Sequence, residues 1–124
     1  MLNIQHRLNS EFSWLYSLFN EEAIFDHKTV ENRPVLKGVA SNIYFMDHQW
    51  EEQNCKDSFS KQNDLEVEFI VNFCKFLMKN LINGQKVTIL STYIGQVGEL
   101  KKKLKKVNSD IRIQSVDHYP RPRE

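Results

Sequence analysis

The chain is poor in cysteine, nearly balanced in charge and free of long apolar runs. Cys55 and Cys74 are its two cysteines. They show no Cys-x-x-Cys spacing and no paired histidines, which argues against a zinc site. Thiols this sparse suit a reducing compartment. No apolar stretch approaches the length that crosses a bilayer, and no charged start leads into an apolar run at the N-terminus. The sequence therefore predicts a soluble intracellular protein, cytoplasmic or nuclear, with no membrane partner. A formal net charge of +1 argues neither for nor against nucleic acid, so any basic surface must be local. Internal repeats and low-complexity tracts are absent as well.

What is present is globular. Apolar residues make up 40% of the 124 positions, enough for one domain with one core and too few for two. "NSEFSWLYSLFN" opens on a plausible cap at Ser10 and places Phe12, Leu15, Tyr16 and Phe19 at helical spacing, so a short amphipathic helix is expected. Residues 21–41, with Pro34 and Gly38, read as loop. "NIYFMDH" is β-rich and apolar on both faces, which predicts a buried strand over 42–47. Residues 49–64 are polar and read as a mobile surface excursion.

From Asp64 onward the pattern is regular. Val67, Ile70, Val71, Cys74, Leu77, Met78 and Leu81 follow helical spacing, widened by Phe69, Phe73 and Phe76. Asn83-Gly84 ends that helix, and Cys74 falls on its core face. "KVTILS" predicts a strand over 86–91. Val97, Leu100, Leu104 and Val107 mark a second helix, whose lysines at 101–106 read as a solvated face. "IRIQSV" predicts a strand over 111–116. Strand, helix, strand, helix, strand is the grammar of a parallel sheet with crossover helices. In such sheets ligands meet the loops after the strand ends, here "TYIGQ" and "DHYPRPRE". His27, His48 and His118 show no metal-ligand spacing.

Four stretches then occur in a telling order: "IQHRL" at 4–8, "NDLEV" at 63–67, "VTILSTYIGQV" at 87–97 and "IQSVDHY" at 113–119. Together they resemble the second RecA-like lobe of superfamily-one helicases, in the branch of the nonsense-mediated-decay helicase. "ENRPVLKGVASNIYFMDH" narrows the resemblance to the NFX-type zinc-finger helicases, which are linked to small-RNA silencing and antiviral defence.

The resemblance implies a three-layer α/β lobe of P-loop NTPase type with a parallel sheet. It spans residues 1–119 and is incomplete, and residues 120–124 follow as a disordered tail. ATP with Mg would lie between this lobe and a first RecA-like lobe. Arg7 would reach the γ-phosphate as the catalytic arginine, with Gln5 and His6 beside it on the nucleotide. Read without the resemblance, Arg7 is a solvated residue near a helix cap. Glu66 would help hold the nucleotide or the domain interface; read locally, Asp64 caps the helix and Glu66 only occupies its first turn. Thr92, Tyr93, Gln96 and Asp117 would face RNA or DNA, with Thr92 also able to cap the following helix.

The chain departs from the family pattern in two places. After Val116, Asp117 and Tyr119 it reads "PRPRE" where the family has Gln-Gly-x-Glu, and proline removes a backbone donor there. It also contains no GxxxxGK[ST] phosphate loop. The expectation is a truncated helicase lobe without the first RecA-like lobe, inactive alone and binding no cofactor by itself. The alternative is a stand-alone RNA- or protein-binding module derived from such a lobe.

Overall fold

The computed structural model describes residues 38–81, 85–108 and 110–118, together with positions 4, 5, 12, 15, 18, 19, 25, 26, 28 and 36. The chain divides into two compact units, Met1–Met46 and Asp47–Glu124.

In the first unit, β1 (Ile4–Gln5) pairs in parallel with β2 (Phe25–Asp26), Ile4 opposite Phe25. The strand at Phe25 corrects the reading of 21–41 as loop throughout. Phe12 and Leu15 have helical backbone and Phe19 lies in a turn, all three exposed. The rest of that expected helix, including Ser10 and Tyr16, is outside the described residues. The strand expected over 42–47 is not there. Among the described residues the segment has no ladder partner, and Tyr44 and Phe45 are 77% and 87% exposed. An apolar run becomes a central strand only when both of its faces are covered, and these two aromatics are not.

The second unit is built on a β-α-β crossover. Helix α1 (Asp64–Asn80) is followed by β5 (Thr88–Ser91), α2 (Ile94–Leu104), β6 (Arg112–Ser115) and a 3₁₀ turn at Val116–His118. Strands β5 and β6 are parallel, with Ile89 opposite Ile113 and Ser91 opposite Ser115. Alternation along the strands sends Ile89 and Ile113 to one face, where Val97, Leu100 and Leu104 of α2 cover them and Val67 and Cys74 of α1 pack behind. Thr88, Leu90 and Arg112 on the other face are exposed. The α/β class with a parallel sheet is as the sequence indicated. The bounds of both strands and both helices fall within a few residues of those read from periodicity.

A hairpin precedes α1. Strands β3 (Gln53–Asn54) and β4 (Lys61–Gln62) are antiparallel, and Cys55 N–H donates to the Ser60 carbonyl at 3.0 Å. Residues 53–62 thus form a hairpin, which the polarity of 49–64 did not suggest. The ribbon is docked on the start of α2, where Gly95 N–H donates to Ser60 Oγ at 2.9 Å. A Cβ at Gly95 would overlap Cys55 Sγ and come within 2.9 Å of the Lys61 carbonyl, so a side chain there would push the hairpin off.

Candidate functional site

The starts of α1 and α2 are tied together by side chains from three parts of the sequence. Asn63, not Asp64, caps α1: its Oδ1 accepts from Glu66 N–H at 3.1 Å. In an ordinary capping box the glutamate three residues on would return the bond to the cap's own N–H. Here Gln96 intervenes. The Asn63 N–H donates to Gln96 Oε1 at 2.8 Å, and Gln96 Nε2 donates to Glu66 Oε2 at 3.0 Å. The box is closed through a residue of the neighbouring helix. This fixes which end of the Gln96 amide points where, because a flipped amide would set its NH₂ against the Asn63 N–H. Asn63 and Gln96 are buried, at 6% and 5% exposure. Buried polar atoms this well partnered hold a geometry, since losing any partner strands another group.

Glu66 has a second partner. His48 Nε2 lies 2.6 Å from Glu66 Oε1, and Trp50 N–H donates to His48 Nδ1 at 3.1 Å. Nδ1 is therefore the acceptor, and the ring proton sits on Nε2 and goes to the carboxylate. The imidazole also stacks on Trp50, with centroids 4.5 Å apart. Asn63 Nδ2 donates to the Trp50 carbonyl at 2.9 Å.

These residues line an open cleft of about 280 Å³ whose other walls include Lys61, Ser91, Thr92 and Tyr93. Thr92 and Tyr93 form the turn between β5 and α2 and are exposed, Tyr93 at 48%. Tyr93 is the N-cap of α2 and makes no side-chain cap, so Thr92 does not cap that helix. The nearest bond is from Tyr93 N–H to Ser91 Oγ at 3.4 Å. Asp117 is exposed in the 3₁₀ turn after β6. Because Ser91 and Ser115 are paired, Thr92 and Asp117 leave the sheet at the same edge.

The structure thus brings Glu66, Thr92, Tyr93 and Gln96 to one cleft and places Asp117 beyond the adjoining strand end. Gln5 lies in β1 of the other unit, and His6 and Arg7 are outside the described residues. His48, Trp50 and Ser60 were not singled out by the sequence as parts of a site. Asn63 was legible only as a residue of the "NDLEV" stretch, and the local reading placed the cap at Asp64 instead. The lysines at 101–103, 105 and 106 are exposed, as a solvated face requires. Lys102 pairs with Glu99 at 2.9 Å, and that contact raises its pKa.

A parallel crossover with polar turns after both strand ends is the arrangement of an α/β lobe that meets its ligands at those ends. The chain belongs to the AAA domain family, which matches residues 1–120. It is similar to the NFX1-type zinc finger-containing protein 1 of Homo sapiens and of Mus musculus. Each is 34% identical over 119 residues, which are 95% of this chain and 6% of the relative. The "Helicase required for RNAi-mediated heterochromatin assembly 1" of Schizosaccharomyces pombe is 28% identical over 124 residues, 95% of this chain and 12% of that protein. The chain therefore spans a small part of the length of these relatives, and it is related to a segment of superfamily-one helicases, as its motifs indicated.

Proposed function

We propose that the chain is a nucleic-acid-contacting lobe of an ATP-dependent RNA helicase, and that a single strand meets it at the cleft beside the β5–α2 turn. The observation that supports this best is the closed ring of Asn63, Glu66 and Gln96. It consumes the polar residues of two motifs in holding the turn and leaves Thr92 and Tyr93 free to touch a ligand. An exposed tyrosine offers a face to any base, and a threonine hydroxyl offers a donor to phosphate.

On this reading Asp117 lines the same track from the neighbouring strand. ATP with Mg is bound between this lobe and a first RecA-like lobe, with Gln5, His6 and Arg7 on the nucleotide and Glu66 helping to hold the nucleotide or the domain interface. The chain by itself hydrolyses no ATP, since nothing in its sequence cradles the β- and γ-phosphates. Its setting is RNA silencing or antiviral defence, inside the cell. A stand-alone RNA-binding module is the second reading, favoured by the second unit having a core of its own around Leu100 and Leu104.

The test is binding of a fluorescent oligouridylate to the full chain, followed by anisotropy. Tyr93→Ala removes one stacking partner and is expected to weaken binding about tenfold, within the range for loss of one base–aromatic stack. Binding that is unchanged in both Tyr93→Ala and Thr92→Ala rules the cleft out as the contact.

A further inference from the structure

The ring that lines the cleft is held from outside by a residue beyond the four motif stretches, the last one of "ENRPVLKGVASNIYFMDH". We infer that His48 is a positioning residue for the β5–α2 turn. Seated on Trp50, it fixes the Glu66 carboxylate, and Glu66 fixes Gln96 and with it the start of α2. That the turn it positions touches nucleic acid rests on the function proposed above; the positioning itself rests on geometry alone.

Each group in the chain of contacts has one hydrogen-bonding role. Trp50 N–H gives to Nδ1, Nε2–H gives to Glu66 Oε1, Gln96 Nε2 gives to Glu66 Oε2, and Asn63 N–H gives to Gln96 Oε1. The polarity is set at the Trp50 end and cannot be reversed at any one link without opposing two donors. Glu66 is the pivot. Its side chain is 37% exposed, so packing does not hold it, and without His48 the carboxylate is free to turn toward water. Gln96 would then lose its acceptor while remaining buried.

The imidazole itself is firmly placed, though its segment has no secondary structure. Trp50 stacks on it, takes a bond from Asn63 Nδ2 at its carbonyl, and leans on Phe69 of α1 at 6.1 Å. Residues 48–50 are thus clipped to the first turns of α1. A metal role for His48 has no support, since no group of His, Cys, Asp and Glu side chains that could hold an ion occurs among the described residues. A role in proton transfer fits poorly with both ring nitrogens being engaged inside the chain.

The experiment compares His48→Ala with His48→Gln in the full chain. A glutamine amide carries an acceptor and a donor side by side and can serve both Trp50 N–H and Glu66. Amide hydrogen exchange at Asn63 is the deciding readout, because its acceptor is Gln96, two links away from His48. With His48→Ala, Asn63 exchange should quicken about tenfold or more, as for loss of a bond to a charged group. Amides in the middle of α1, around Cys74, should not change. His48→Gln should restore slow exchange. If Asn63 is unaffected by His48→Ala, or if all amides quicken together, or if glutamine fails to rescue, the positioning role is wrong. Oligouridylate binding separates the two claims. If Asn63 responds as expected but neither His48→Ala nor Tyr93→Ala alters binding, His48 still positions the turn and the nucleic-acid reading fails.

Discussion

Gln96 donates to the Glu66 carboxylate at 3.0 Å across the gap between two helix starts. The bond joins residues 30 positions apart in sequence, and both are in the ring that caps α1. Gln96→Ala leaves the Asn63 N–H and one carboxylate oxygen without their partners. The expected loss is about 2–3 kcal/mol, more than a surface glutamine would cost, because one stranded group is buried and the other is charged. Urea denaturation measures it. Glu66→Ala and Gln96→Ala combined should cost less than their sum, with a coupling of about 1 kcal/mol or more. Simple additivity would mean that the pair does not act as a unit.

The glycines of α2 should respond in opposite directions to the same change. Gly95→Ala drives a methyl group into Cys55 and the Lys61 carbonyl, so it should destabilise by about 1–3 kcal/mol and loosen the hairpin. Gly98 has open space where its Cβ would be. Gly98→Ala should stabilise by about 0.5–1 kcal/mol through helix propensity alone. Thermal melts of the two variants give the comparison directly. A gain at Gly95 would show that the hairpin is not docked there.

What could be read in advance, and what could not, follows from how far apart the deciding groups lie. Helices α1 and α2 and strands β5 and β6 announce themselves by local periodicity, because each buries one face against its neighbours. Cys74 in the core was legible for the same reason. Residues 42–47 misled because apolar composition suggests a covered strand but does not supply the covering layer. The β3–β4 hairpin was invisible because its order comes from Ser60 and Gly95, groups 35 residues apart, and not from any pattern within it. At the cleft, Asn63, Glu66 and Gln96 stood out individually as motif residues. Their mutual bonding did not, since the sequence keeps them in two separate stretches. His48 ends the stretch that narrows the family resemblance, but nothing marked its role, because coil has no period. Likewise Asp64 was read as the cap, and the bond from Glu66 N–H to Asn63 Oδ1 moves it one residue back.

The thiols differ in environment, and this predicts their chemistry. Cys74 is 2% exposed, and burial raises its pKa from the usual 9.0. Cys55 is half-buried at the hairpin, its Sγ donating to Gln62 Oε1 at 3.1 Å. A thiol reagent should modify Cys55 first in the folded chain and reach Cys74 only in urea, since the thiolate is the reactive form. The sign of the pH effect follows. Above 9.0 the unfolded Cys74 loses its proton while the folded one keeps it, so the unfolded state binds fewer protons and stability falls as pH rises. The stabilisation is intact below that value. Cys74→Ala should remove this alkaline component while lowering stability at neutral pH.

The two faces of the β5–β6 sheet should tolerate truncation very differently. Ile113 is 7% exposed and packs among Leu100, Leu104 and Val97, whereas Leu90 is 49% exposed on the opposite face. Ile113→Ala removes buried carbon and leaves a cavity, for an expected cost of about 2–4 kcal/mol. Leu90→Ala removes carbon that water already reaches and should cost under about 1 kcal/mol. Leu90→Thr puts a β-branched residue in the strand and should do no worse, while reducing the apolar surface that favours association. Urea midpoints at several protein concentrations separate the possibilities. If Leu90→Ala proves as costly as Ile113→Ala at every concentration, the chain itself covers that face. If its cost grows with concentration, a second copy covers it.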